Sequence, residues 1–136
     1  MYLLDTNVVS ELRKPKPHGG VLAWMGMVPE EVLYLSAVTL GELQAGIQRT
    51  RRQDPEKAAA IEAWVDELAG TSNVLPMDAT AFREWARLME GLPEQLIEDA
   101  MIAATARVHR LTVVTRNIRD FRFFDVPVLD PFVPGP

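Results

Sequence analysis

Three carboxylates stand where a chain could gather them for metal chemistry. Asp5 ends the short apolar run Tyr2 to Leu4, Glu42 follows a second apolar run by two helical turns, and Asp99 opens a later helix. Cysteine is absent, and the two histidines, His18 and His109, are not placed as a pair. An oxygen-only donor set favours Mg²⁺, with Mn²⁺ as a substitute, over zinc. Carboxylates clustered on one side of a site repel one another unless a cation sits among them. Such a cation can activate water and stabilise charge on a phosphate, so the chemistry expected is phosphodiester hydrolysis without a covalent protein intermediate.

The elements that must position these acids alternate. Tyr2 to Leu4 reads as a buried strand, Val8 to Leu12 as a helix stopped by Lys14-Pro15-Lys16-Pro17, and His18 to Met27 as a short helix. Val32 to Leu35 is a second strand, after which Ser36 can cap a helix running to about Thr50. Arg51 to Pro55 is a polar break. Ile61, Trp64, Val65 and Leu68 form one face of a helix over Glu56 to Ala69, with Gly70 as its stop. Asn73 to Pro76 is a third strand, and Asp78 caps a helix carrying Phe82, Trp85, Ala86 and Met89 on one stripe. Leu96 to His109 is another helix, Leu111 to Thr115 a fourth strand, Asn117 to Phe121 a short turn or helix, and Val126 to Leu129 a fifth, edge strand. The tail Pro131 to Pro136, with three prolines, is expected to be irregular.

Alternating strands and helices imply parallel pairing, hence an open α/β sheet with helices on both faces in a single domain over residues 1–136. Ligands of such sheets bind beyond the carboxyl ends of the strands, where the following helices begin. Asp5, Glu42, Asp99 and the Thr115-Arg116-Asn117 turn therefore belong to one rim. Composition adds limits. The chain is nearly half apolar, has a net charge of −5, and lacks the roughly 18–20 uninterrupted apolar residues of a membrane span, and with no basic stretch before Asp5 a signal peptide is not expected. A soluble cytoplasmic protein is expected, and the charge argues against one that coats nucleic acid by charge alone.

The chain resembles PIN-domain proteins of the VapC and FitB kind over nearly its whole length. The resemblance rests on Leu4-Asp5-Thr6-Asn7, on Ser36-Ala37-Val38-Thr39-Leu40-Gly41-Glu42-Leu43, on Asp99-Ala100-Met101-Ile102-Ala103-Ala104-Thr105-Ala106, and on Val114-Thr115-Arg116-Asn117. It implies a PIN-like three-layer fold with strand order 3-2-1-4-5 and an acidic core of Asp5, Glu42 and Asp99 holding Mg²⁺. Many relatives carry a fourth acid near the end of strand four. Here Asn117 stands there and Asp120 follows, so either could supply the last oxygen. The resemblance further implies the toxin of a type II toxin–antitoxin system: a ribonuclease acting on tRNA or ribosomal RNA, restrained by an antitoxin, and homodimeric.

Each residue also has a plainer reading. Asp5 suits the cap of the helix at Val8, and Glu42 suits a solvated helix position. Asp99 shares an apolar face with Ile102, Ala103 and Ala106, where an unpaired carboxylate is costly, although a first-turn dipole role competes. Glu98, about 100° around the helix, is expected to face solvent. Thr6 and Thr115 suit water or phosphate orientation, and Arg116 and Arg119 suit RNA phosphate. Trp64 and Trp85 read as core. The rival classes are a non-cleaving PIN-fold subunit acting in a DNA-binding complex with its antitoxin, and a phosphohydrolase for DNA or small phosphoesters.

Overall fold

A computed structural model describes residues 1–133. Five short strands form one parallel sheet in the order β3-β2-β1-β4-β5. They are β1 (Tyr2–Leu4), β2 (Leu33–Ser36), β3 (Asn73–Leu75), β4 (Thr112–Val114) and β5 (Val128–Leu129). Leu4 of β1 lies in register with Leu35 on one side and Val114 on the other, so β1 is central. The order reverses between β1 and β4, which opens the crevice where α/β sheets bind ligands.

Seven helices link the strands: α1 (Thr6–Leu12), α2 (Gly19–Met27), α3 (Ala37–Arg51), α4 (Pro55–Thr71), α5 (Ala79–Met89), α6 (Ile97–His109) and α7 (Ile118–Phe121). The period-2 pleat sends adjacent residues of β1 to opposite faces. Leu3 joins the core of Ile102, Ala103, Ala106, Val113, Phe121 and Phe124 on the α6 side. Leu4 joins Val8, Val9, Val21, Leu35, Val114 and Phe132 on the α1–α2 side. The sheet is buried on both faces, as parallel sheets require. Trp64 and Trp85 pack against core clusters, and Trp24 meets Tyr2 edge to face at 5.1 Å. No helix among the described residues is long and apolar enough to cross a membrane.

Several boundaries differ from the sequence reading for local reasons. α1 starts at Thr6 rather than Val8, because Asp5 is extended and its carboxylate accepts the Thr6 N–H at 2.8 Å. α2 starts after His18, whose Nδ1 caps Gly20 N. Val32 belongs to a 3₁₀ turn after Pro29 instead of β2. Arg51 and Pro55 both lie inside helices, which shortens the polar break. Gly70 does not stop α4: the helix runs on to Thr71, where the hydroxyl donates to the Glu67 carbonyl and Ser72 N bonds Leu68 O. Leu96 closes a 3₁₀ turn before α6, and Leu111 is drawn into the helix end, with its N–H on Ala106 O. β5 is only two residues, because Asp125 is left-handed at φ 48° and Pro127 cannot donate to the ladder. Ser36 and Asp78 cap as expected, at 3.0 and 2.9 Å. Pro131–Val133 lack helix and strand, while the rest of the expected irregular tail, 134–136, lies outside the described residues.

Candidate active site

The end of β1 hands Asp5 directly into α1, leaving its carboxylate 3% exposed at the carboxyl edge of the sheet. One oxygen accepts from Thr6 N. The other accepts from Thr115 Oγ1 at 2.8 Å and Asn7 Nδ2 at 3.2 Å. The carboxylate that caps α1 is therefore also the one that stands at the rim. Thr115, just past β4, is itself fixed by Asn7 Nδ2 at 3.2 Å and Asn117 N at 2.9 Å.

Glu42, half-buried on α3, accepts from Thr6 Oγ1 at 2.9 Å. That bond spends the single Thr6 hydroxyl proton, so the 3.0 Å contact with the buried Thr39 Oγ1 is donated by Thr39. On the far side, the Asn117 amide spans two acids: Nδ2 donates to Asp99 Oδ2 at 3.0 Å and to Asp120 Oδ2 at 2.8 Å. Asn117 and Asp120 thus lie together beside Asp99, the amide donating to both carboxylates.

The electrostatics follow from this neutral company. Burial raises the Asp5 carboxyl above its ordinary value against the hydrogen bonds from Thr115 and Thr6. Burial also raises Glu42, opposed by Thr6, and the charges of Asp5 and Glu98 push it further. Asp99 is pushed up to about 7 by burial first, then by Asp5, Asp120 and Glu42, against the Asn117 bond. None of the ion pairs among the described residues involves these four acids.

Among the described residues no three acidic or histidine side chains close around one point as a finished cation cage. Even so, the donor chemistry fits a hard divalent cation: oxygen ligands, mutual repulsion, and no lysine or arginine to offset it. Cavities of about 450 and 340 Å³ lie elsewhere, lined by other residues. The acids form an open rim, which suits a polymer strand better than an enclosed small molecule.

Sequence reading missed Asn7 and Thr39 as site residues. Both lie inside matched motifs, but their roles depend on partners across the fold. Glu98 is exposed as expected, yet its charge reaches Glu42. Arg116 is exposed beside the rim, with its backbone N–H on Asn7 Oδ1 at 3.2 Å. Arg119 is exposed as well. His18 and His109 take no part in the acid network.

The family model described as PIN domain matches residues 2–127. The chain belongs to the PIN-domain family. It is 39% identical to VapC ribonuclease Y4jK of Sinorhizobium fredii, covering 99% of this chain and 100% of that one. It is 34% identical to Toxin FitB of Neisseria gonorrhoeae over 97% and 99% of the two chains. Among solved structures, FitAcB from Neisseria gonorrhoeae superposes with a TM-score of 0.83 at 35% identity, covering 97% of this chain and 99% of that chain. A toxin–antitoxin complex from Klebsiella pneumoniae follows at 0.67 and 25%, with 96% and 98% covered. The PIN sheet order and the central place of β1 match the expectation drawn from the motifs.

Proposed function

We propose that this PIN-domain chain is the toxin of a type II toxin–antitoxin system and a Mg²⁺-dependent endoribonuclease. The observation that carries the reading is the meeting of Asp5, Glu42 and Asp99 at one rim with raised affinity for protons and no cationic partner. Relatives named as a ribonuclease and a toxin support the activity. The fold's likeness to the toxin–antitoxin complex supports an antitoxin partner.

In this reading Asp5, Glu42 and Asp99 hold Mg²⁺ (or Mn²⁺), with Asp120 as a further acid. When bound, Mg²⁺ supplies the positive charge that activates water and offsets charge building on the phosphate. The chain's own groups do the rest. Thr115 fixes the Asp5 carboxylate and Thr6 fixes that of Glu42. Asn117 keeps Asp99 and Asp120 together. The exposed Arg116, with Arg119 nearby on α7, meets phosphates of tRNA or ribosomal RNA. The protein works in the cytoplasm as a homodimer held by its antitoxin, which shields the rim.

The test is cleavage of mixed tRNA and ribosomal RNA by purified protein with Mg²⁺, Mn²⁺ or EDTA, beside Asp5→Asn and Asp99→Asn. Metal-dependent cutting lost in both variants is expected. Equal cutting by all three proteins would place the activity elsewhere. If folded wild type cuts no RNA yet binds antitoxin and operator DNA, the non-cleaving subunit is the better reading. Preferential cutting of DNA would point to a deoxy substrate.

A further inference from the structure

Beyond β5 the chain packs against α2 and the Arg116 turn that follows β4. Asp130 Oδ1 accepts the Phe132 N–H at 2.9 Å, which curls the arm and drives Phe132 into the α1–α2 core at 8% exposure. One edge of this ring neighbours His18, with centroids 5.2 Å apart. Over the ring lies the Arg116 guanidinium, 3.8 Å from the centroid. The arm passes so close to α2 that a Cβ at Gly20 would stand 2.7 Å from the Pro131 carbonyl oxygen. Glycine at 20 is what lets the arm lie there.

The guanidinium is held but not neutralised. The carboxylate whose pKa its charge lowers is Glu11, and both Glu11 oxygens are engaged, by Lys14 Nζ at 2.9 Å and by His18 N at 2.9 Å. Among the described residues no carboxylate lies within ion-pair distance of Arg116. Its backbone, however, is tied to Asp5 through Asn7. Among the described residues the side-chain N–H donors of this exposed arginine have no partner, while its plane is fixed by an aromatic face.

We infer that Phe132 is a positioning residue: the C-terminal arm fixes Arg116 at the rim so that its guanidinium receives a backbone phosphate of the RNA strand entering the site. The inference rests on the ribonuclease reading above and extends it to how the strand is gripped. Pre-fixing the long arginine side chain spares the ordering cost that binding would otherwise incur.

The test measures affinity of the full chain for a short labelled oligouridylate across a salt series, with EDTA present so that nothing is cut. Arg116→Gln should weaken binding and reduce the salt slope by about 0.7, the share of one single-strand phosphate contact. Phe132→Leu keeps an apolar core residue and the Arg116 charge, and should weaken binding about three-fold. Added to Arg116→Gln it should have no further effect, whereas a merely structural role would weaken both backgrounds equally. Gly20→Ala, whose Cβ presses on the Pro131 carbonyl oxygen and on the His18 ring beside Phe132 while leaving Arg116 and Phe132 unchanged in sequence, should behave as Phe132→Leu does. The ring-current shift of the Arg116 side-chain protons should vanish in both. Cleavage with unchanged KM in all these variants, or equal losses from Phe132→Leu in both backgrounds, overturns the inference while leaving the nuclease intact. A wild type that neither binds nor cuts RNA overturns the underlying reading and this inference with it.

Discussion

Asp5 and Glu11 are both almost sealed from water, at 3% and 6% exposure, and both belong to the β1–α1 segment. Their surroundings set them apart. Glu11 is met by the Lys14 ammonium and the His18 N–H, which hold its carboxyl below the ordinary value. Asp5 is met by two hydroxyl- and amide-bearing side chains and one backbone N–H, all neutral, and its carboxyl is raised. Glu42 and Asp99 share the second kind of surroundings. A buried acid given its own cation ties the α1–α2 loop together. Buried acids given only neutral donors have no ion pair among the described residues to offset their charge.

The largest expected effect separates the two kinds by activity. Asp5→Asn or Asp99→Asn should lower metal-dependent RNA cleavage by at least ~100-fold, while Glu11→Gln should leave kcat essentially unchanged. Rate measurements on the three proteins at saturating Mg²⁺ check this, and a comparable loss in Glu11→Gln would erase the distinction. Next in size are the neutral holders. Asn7→Ala and Thr39→Val should each reduce cleavage by roughly 10-fold, since they orient ligands without supplying charge.

Smaller effects appear in stability against pH, where the two kinds of acid act in opposite directions. A carboxyl raised in the fold ionises more readily in the unfolded chain, so its contribution is present below the unfolded value near 4 and is lost as pH climbs through about 7 for Asp99. In EDTA the melting temperature should therefore fall between about pH 4 and about pH 7, and Asp99→Asn should flatten that decline. Glu11, held low, contributes stability above its unfolded value that is lost as pH drops through the lower folded value. Glu11→Gln should accordingly lower the melting temperature at neutral pH and lose that penalty in acid. Thermal scans over pH decide both. A decline unchanged by Asp99→Asn would break the comparison.

Much of this arrangement was legible in the residues. Asp5, Glu42 and Asp99 could be placed on one rim from strand and helix order alone, because parallel crossovers return every helix start to the same edge. Ser36 and Asp78 announced their caps locally. What stayed hidden depends on partners distant in sequence. Asn7 and Thr39 become site residues only when Thr115 and Thr6 are brought to them. Gly70 looked like a helix stop, but closure at Ser72 N, beyond the glycine, carries α4 on. Neither did the residues show that one Asn117 amide donates to both Asp99 and Asp120, eighteen and three residues away in sequence. The Arg116–Phe132 stack joins β4's end to the chain's last described turn, a contact no local pattern encodes.

The central claim is that the neutral-partnered acids are a divalent cation site. Calorimetric titration of the metal-free protein with Mn²⁺ near neutral pH tests it most directly, run in two buffers of different ionisation enthalpy. Binding with proton release is expected for wild type and for Glu11→Gln, because Asp99 must give up its proton, and binding should be lost in Asp5→Asn and Asp99→Asn. Undiminished Mn²⁺ binding by Asp5→Asn and Asp99→Asn would contradict the account.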